Sequence, residues 1–189
     1  MLKHLVDQNR SYRAFDESRP ITAQDMRALV DLARHVPSGM NKQPLRYRIV
    51  SDPVEREKML NNTRYAGALS IKLPPEGQKP TGFIVIFNDT ETNSPDFLSF
   101  KDCGIAAQTI LLGAVEMGFG GCMLASFNSA QLNADLGIPT RYQPVLAIAL
   151  GTPAEAVVLE DADEITAPYY RDENNVHHVP KRKLEDVLL

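Results

Sequence analysis

The sequence predicts a single domain that mixes helices with a few central strands, and three observations predict it. At 189 residues with 43% hydrophobic content, the chain is long enough for one well-buried core and gives little reason to divide it. Phe83-Ile84-Val85-Ile86-Phe87 and Val145 to Leu150 are continuous apolar runs of strand length, the pattern of strands buried on both faces. Between them, Phe97 to Met117 is the longest helix candidate, poor in charge and rich in small residues (Gly104, Ala106, Ala107, Gly113, Ala114). Small side chains on an apolar helix let another helix approach closely, either in the core or at a subunit contact.

The remaining elements follow along the chain. After Pro20, Thr22 is placed to cap a helix, with Asp25 three residues on and Ile21 facing Met26 as a hydrophobic staple. Met26, Leu29, Val30, Ala33 and Val36 then recur at helical spacing until Pro37 stops them. Leu45, Tyr47 and Ile49 alternate with Arg46, Arg48 and Val50, a strand with one wetter face. Short helices are expected near Val54 to Leu60 and near Tyr65 to Lys72. The segment Leu73 to Pro80 contains Pro74, Pro75, Gly77 and Pro80 and cannot be regular; it is either a plain linker or a flap over a pocket. Gly118-Phe119-Gly120-Gly121 ends the long helix, and Asn128 with Gln131 caps a short one closed by Gly137 and Pro139. Residues 152–189 change character, with an acidic patch, a basic cluster at Lys181, Arg182 and Lys183, and little periodic hydrophobicity. Such an arm lies disordered or packs along another surface, which in an oligomer belongs to the partner.

Composition excludes several classes. The formal charge of -4 hides nine Lys/Arg against five Asp/Glu in residues 1–48, an excess suited to an anion but too dilute for a nucleic-acid-binding face. Cys103 and Cys122 form no CxxC, so neither a disulfide framework nor a zinc site is indicated. Met1-Leu2-Lys3-His4 leads into no apolar stretch of signal-peptide length, and no window reads as a membrane span. A reduced, cytoplasmic, soluble protein is expected.

Two short stretches carry chemistry. Arg10-Ser11-Tyr12-Arg13 sets two guanidiniums and a hydroxyl within four residues, donors suited to phosphate oxygens, and Lys181 and Arg182, or Arg171, are candidates for a further cation. Read blandly, these are surface residues between helices. Ser38, Asn41 and Gln43 lie in Pro37-Ser38-Gly39-Met40-Asn41-Lys42-Gln43-Pro44, on a loop that begins where a buried-faced helix ends. Their amides either close a turn before a strand or donate and accept along the edge of a polar ring. A ligand with a terminal phosphate and a flat heteroaromatic head satisfies both stretches, and flavin mononucleotide (FMN) has that shape. Met123, Leu124 and Ala125 follow the glycine turn, where small residues let backbone N–H groups approach one face of such a ring. No GxGxxG stands between a strand and a helix, and no P-loop is present. His177-His178 lacks a suitably spaced third metal ligand, and Ser38 with His35 lacks a nucleophile-elbow context.

Taken in order, Arg10-Ser11-Tyr12-Arg13, Ser38 to Pro44, Asp102-Cys103-Gly104-Ile105-Ala106-Ala107-Gln108 through Gly121, Ala149-Leu150-Gly151-Thr152-Pro153 and Val179-Pro180-Lys181-Arg182 resemble the FMN-dependent nitroreductase family over nearly the whole chain. The resemblance implies an α+β fold with a mainly antiparallel sheet flanked by helices, in a homodimer with FMN at the subunit interface. It implies that Arg10, Ser11 and Arg13 contact phosphate, ribityl or the ring's pyrimidine edge, and that Asn41 and Gln43 lie near the ring. Lys181 and Arg182 would join the phosphate site once the C-terminal arm embraces the partner. The implied activity is ping-pong transfer of hydride from NAD(P)H to flavin and on to an electron-poor acceptor such as a nitroaromatic or quinone. No side-chain acid or base is expected to be catalytic. A non-redox flavin-binding or flavin-processing protein would share every binding residue. Asn9 and Leu45 depart from the Arg and Trp of many relatives.

Overall fold

The computed structural model describes residues 1–65, 71–92, 96–162 and 168–189. In chain order the elements are α1 (Leu2–Gln8), β1 (Phe15–Asp16), α2 (Ala23–Ala33), β2 (Leu45–Val50), α3 (Pro53–Asn62), β3 (Gly82–Asp89), α4 (Phe97–Glu116), β4 (Gly120–Leu124), α5 (Ser129–Leu136), β5 (Tyr142–Pro153), β6 (Val157–Asp161), β7 (Tyr170–Arg171) and β8 (His177–Lys181), with short 3-10 turns at Gly39–Asn41 and Leu184–Asp186. The main sheet has the order β1-β5-β3-β2, with β4 also pairing with β5, and every pairing in it is antiparallel. This is the α+β arrangement that the resemblance implies.

The two apolar runs become β3 and β5, paired from Gly82 with Leu150 to Asp89 with Tyr142. All eight residues of β3 are buried, because helices cover both faces of the sheet. On one face Ile84, Ile86, Ile148 and Leu150 pack against α2 and α4 through Met26, Leu29, Ala106, Ile110 and Ala114. On the other, Phe83, Val85, Phe87 and Ala149 pack with Met59 of α3 and with Leu132 and Leu136 of α5.

The local signals act as predicted. Thr22 accepts from Asp25 N while the Asp25 side chain answers Thr22 N, a complete capping box. Asn128 accepts from Gln131 N, and Gly137 closes α5 in the left-handed region at φ 64°. Gly113 lets α2 and α4 approach: a β-carbon there would stand 2.7 Å from Leu32 Cδ1. A β-carbon at Gly104 would meet no atom of the described residues within 4 Å. It lies on the outer side of α4, with exposed Phe97, Phe100 and Ile105 nearby. By length and mean hydropathy (1.2) α4 is apolar enough to cross a membrane, contrary to the sequence reading, but half of that window is buried inside the protein, as in a core helix.

Three further differences stand out. α1 was not anticipated; it has no side-chain cap and no buried residue, so neither signal exists in the sequence. The arm builds more structure than its pattern suggested: β8 pairs in parallel with β6 and antiparallel with β7 in a separate three-stranded sheet. The helix expected near Tyr65 to Lys72 falls mostly outside the described residues. Residues 71–81 are irregular as expected, tied down by Phe15 N donating to Gln78 O at 3.0 Å and by Lys79 N donating to Glu17 at 2.8 Å.

Candidate functional site

The segment Arg10–Arg13 lies along the open edge of β4. Ser11 forms a parallel bridge with Gly121, and Tyr12 N donates to Gly121 O at 3.0 Å. Only glycine permits this seat: a β-carbon at residue 121 would lie 2.4 Å from Ala149 O, and one at Gly120 would lie 2.5 Å from the Tyr12 ring. Hydrogen-bonding direction alternates along a strand, so Met123 turns its amide outward as Gly121 does. Met123 is exposed there, while Leu124 points into the core. The structure therefore brings Arg10, Ser11 and Arg13 to the same edge as Met123, with Leu124 packed inward opposite Ala147 of β5 and Ala125 just past the strand end.

Arg10 Nη2 donates to Val6 O at 2.6 Å, closing the end of α1. Arg13 is only 9% exposed, and its guanidinium lies 5.2 Å from the centre of the Tyr169 ring. Beneath it, Glu155 accepts from Arg13 N and from Ala14 N and pairs with the Arg171 guanidinium. Among the described residues, the buried Nε atoms of Arg10, Arg13 and Arg171, and both ring nitrogens of His177, have no hydrogen-bond partner, as is also true of Arg48 and Arg56 Nε elsewhere. Burial, and secondarily the Arg13 charge, holds the His177 pKa below its ordinary value. Burial raises the Cys122 thiol, partly offset by Arg13, so this residue is an inert wall.

The amide-bearing loop is built differently. Ser38 Oγ donates to Asp102 Oδ2 at 2.6 Å, and Gly39 N donates to both Asp102 oxygens at 3.0 and 3.2 Å. Gln43 N donates back to Ser38 Oγ at 3.0 Å, and Gln43 Nε2 donates to Asn41 Oδ1 at 3.0 Å. Met40, Asn41 and Gln43 all have positive φ, near 50°, an uncommon conformation for residues with side chains. Three such residues in four positions are backbone strain of the kind that gathers at functional sites. Ser38, Asn41 and Gln43 are thus brought together, with Asn41 and Gln43 exposed.

The two groups meet α4 separately: Asp102 holds the loop, whereas Asn9 Nδ2 donates to Gln108 Oε1 at 3.3 Å. Lys181 stands at the far end of β8 from His177, roughly 13 Å away by strand rise. The arm residues beside Arg13 are therefore Arg171, Tyr169 and His177, with Lys181 and Arg182 further along. Sequence reasoning missed Asp102, Glu155 and His177 as contributors. The available signals were a carboxylate within an apolar helix and another immediately after a buried strand.

The sequence model described as the nitroreductase family matches residues 6–152, which leaves most of the arm outside the match. A protein of Archaeoglobus fulgidus named as a candidate NADH dehydrogenase/NAD(P)H nitroreductase is 26% identical over 165 residues, covering 85% of this chain and 90% of that one. A nitroreductase family protein from Clostridium novyi NT superposes with a TM-score of 0.69 at 24% identity, over 81% of this chain and 86% of that one. A candidate nitroreductase from Desulfovibrio desulfuricans, solved in complex with FMN, superposes with a TM-score of 0.74 at 23% identity, over 100% of this chain and 95% of that one.

Proposed function

Because the chain belongs to the nitroreductase family, we propose that it is an FMN-dependent oxidoreductase that takes electrons from NAD(P)H and delivers them to an electron-poor acceptor such as a nitroaromatic or a quinone. The observation that carries the reading is the juxtaposition of orphaned buried guanidinium nitrogens at Arg10 and Arg13 with the edge of β4 at Met123, which no described strand covers. A phosphate tail and a flat polar ring fit that pair of features. When bound, FMN supplies a centre that accepts hydride and returns the electrons to a second substrate in ping-pong order.

The chain's own residues then have definable tasks. Arg10, Ser11 and Arg13 hold the phosphate and ribityl chain, with Arg13 set by Glu155 and Tyr169. The outward amide of Met123 aims an N–H dipole at a ring edge that becomes electron-rich on reduction, with the Ala125 backbone beside it. Leu124, behind them, packs the edge against the core. Ser38, anchored to Asp102, fixes the loop that presents the Asn41 and Gln43 carboxamides to the ring. No side chain is assigned as an acid or base.

The functional unit in this reading is a homodimer. The loop and the cationic segment leave α4 six residues apart, a rise of about 9 Å and roughly a third of a turn around the axis. A partner's loop completes the site more readily than the chain's own. Exposed Phe97, Phe100 and Ile105 beside Gly104 supply an apolar face for contact along α4. The exposed tail at Leu184, Val187, Leu188 and Leu189 supports an arm that ends on the partner, where Lys181 and Arg182 would reach the phosphate. The same reading keeps residues 1–189 as one domain with 152–189 as its arm. It also keeps a cytoplasmic location, with two unpaired thiols in a reducing compartment.

The test is a visible spectrum followed by anaerobic titration. The purified protein should be yellow, bleach with NADH or NADPH, and recover colour with a nitroaromatic or quinone. A colourless protein that ignores added FMN refutes the proposal; a yellow one that neither nicotinamide bleaches belongs to the non-redox flavin class.

A further inference from the structure

A cavity of about 710 Å³ lies between α3 and α5, lined by Lys58, Asn61, Asn62, Arg64, Ser126, Phe127, Asn128, Gln131 and Asp135, and none of the residues assigned above to FMN lines it. We propose that this cleft receives the phosphate-bearing part of the nicotinamide donor, with Arg64 and Lys58 as its specificity-determining cations; the inference rests on the oxidoreductase reading.

The walls are fixed before any ligand arrives. Asn62 Nδ2 donates to Asn128 O at 3.1 Å, Asn128 N returns a bond to Asn62 Oδ1 at 3.0 Å, and Thr63 bridges Phe127 beneath them. Arg64 N donates to Ser126 O at 2.9 Å, which fixes the root of a side chain that lines the cleft and whose guanidinium makes no hydrogen bond or ion pair among the described residues. Lys58 Nζ uses one donor on Asp135 O at 3.1 Å and keeps two. The carboxylate in the lining, Asp135, is already accepting from Gln131 Nε2 at 2.8 Å. Two cations therefore face the cleft with donors to spare.

Position and lining select the ligand. Ser126 follows Leu124 by two residues, about 7 Å along the chain, so one wall of the cleft lies within reach of a donor stacked on the proposed ring. A donor stacked on that ring must send its sugars and phosphates beyond it. Carboxamides at Asn61 and Gln131 and the Ser126 hydroxyl suit ribose and phosphate oxygens, and Arg and Lys suit the charge. The volume falls within the roughly 300–1,000 Å³ of small-ligand sites.

The experiment uses Arg64→Gln, Lys58→Gln and the double variant. NADP⁺ and NAD⁺ are titrated by calorimetry, flavin content is read from the spectrum, and donor KM is measured. Each single variant is expected to bind NADP⁺ about tenfold more weakly, the scale of one lost charge-assisted bond, and the double variant about a hundredfold, with parental flavin content. A greater loss for NADP⁺ than for NAD⁺ places the 2′-phosphate in the cleft, and an equal loss places the shared pyrophosphate there. Unchanged affinity for both nucleotides overturns the inference, as does loss of flavin from the variants, which would assign the cations to the cofactor. A parent that takes up no flavin yet binds NADP⁺ through Arg64 sinks the flavin reading and keeps the cleft.

Discussion

Replacing Asp102 by alanine tests how the loop at residues 38–43 is held. Asp102 is 5% exposed and accepts from two donors, the Ser38 hydroxyl and Gly39 N. A hydrogen bond to a charged group contributes about 1.5–3 kcal/mol. Ser38 and Gly39 are only half-buried, so water recovers part of this, and a net loss of about 2–3 kcal/mol is the working figure. Against it stands the positive φ of Met40, Asn41 and Gln43, at roughly 1 kcal/mol each, which a released loop would relax. The consequence is a local opening more than a global one. A locally opened loop relieves only part of that strain, so about 1 kcal/mol of the loss survives and thermal unfolding should fall by roughly 2–4 °C at this size. FMN affinity should fall at least tenfold on the proposed reading, because the carboxamides lose their aim. Asp102→Asn keeps one acceptor oxygen and should lie between parent and alanine variant in both measurements. Differential scanning calorimetry with flavin titration reads both quantities. A variant that melts within about a degree of the parent and binds FMN equally would show that neither the anchor nor the strain matters.

Two further outcomes are expected. Gly121→Ala must push β4 off β5 or off Leu111, because its β-carbon would lie 2.4 Å from Ala149 O and 2.8 Å from Leu111 Cδ2. Overpacking of this kind costs about 1–3 kcal/mol, read as a lower denaturation midpoint; an unchanged midpoint would mean that the strand edge is not held as described. His178 lies 3.0 Å from Glu160 Oε2 and 3.3 Å from Asp172 Oδ2, and those contacts, Glu160 first, raise its pKa. A base with a raised folded-state pKa contributes stability that is complete below about 6.5 and is lost as pH climbs through the folded value. His177, lowered by burial, acts oppositely, costing stability as pH falls below about 6.5 because the unfolded chain takes the proton first. NMR titration should place His178 above and His177 below the free imidazole value, and the reverse order would refute both assignments.

Legibility in the sequence followed the range of each interaction. β3, β5, α4 and the caps at Thr22 and Asn128 are written in contiguous residues, so periodicity and spacing reveal them. The loop 38–43 was visible as a cluster of amides after a helix stop. Its anchor was not, because Asp102 lies more than sixty residues away and reads locally as one polar residue on an apolar helix. Glu155 was hidden for the same reason: its bonds to Arg13 N and Ala14 N cross more than a hundred and forty residues. The sheet of β6, β7 and β8 was missed because its short, polar-rich strands lack a clean alternation of buried and wet residues.

Those distant contacts explain why segments from opposite ends of the chain can serve one ligand. Glu155 joins the backbone of Arg13 and Ala14 to the Arg171 side chain, so the start of the arm fixes the proposed phosphate residues. Asp102 fixes the proposed ring-facing loop to α4, the helix whose outer side carries Phe97, Gly104 and Ile105. If that side pairs two copies, each loop is oriented by the same helix that forms the contact, and FMN affinity must rise with protein concentration through the dimerisation range. A chain held as a monomer would keep its Arg10–Arg13 segment seated on β4 but lose the carboxamide half of the site. Flavin binding and dimerisation are then one equilibrium, and the glycine at 104, open on its outer side, sits where the copies would meet.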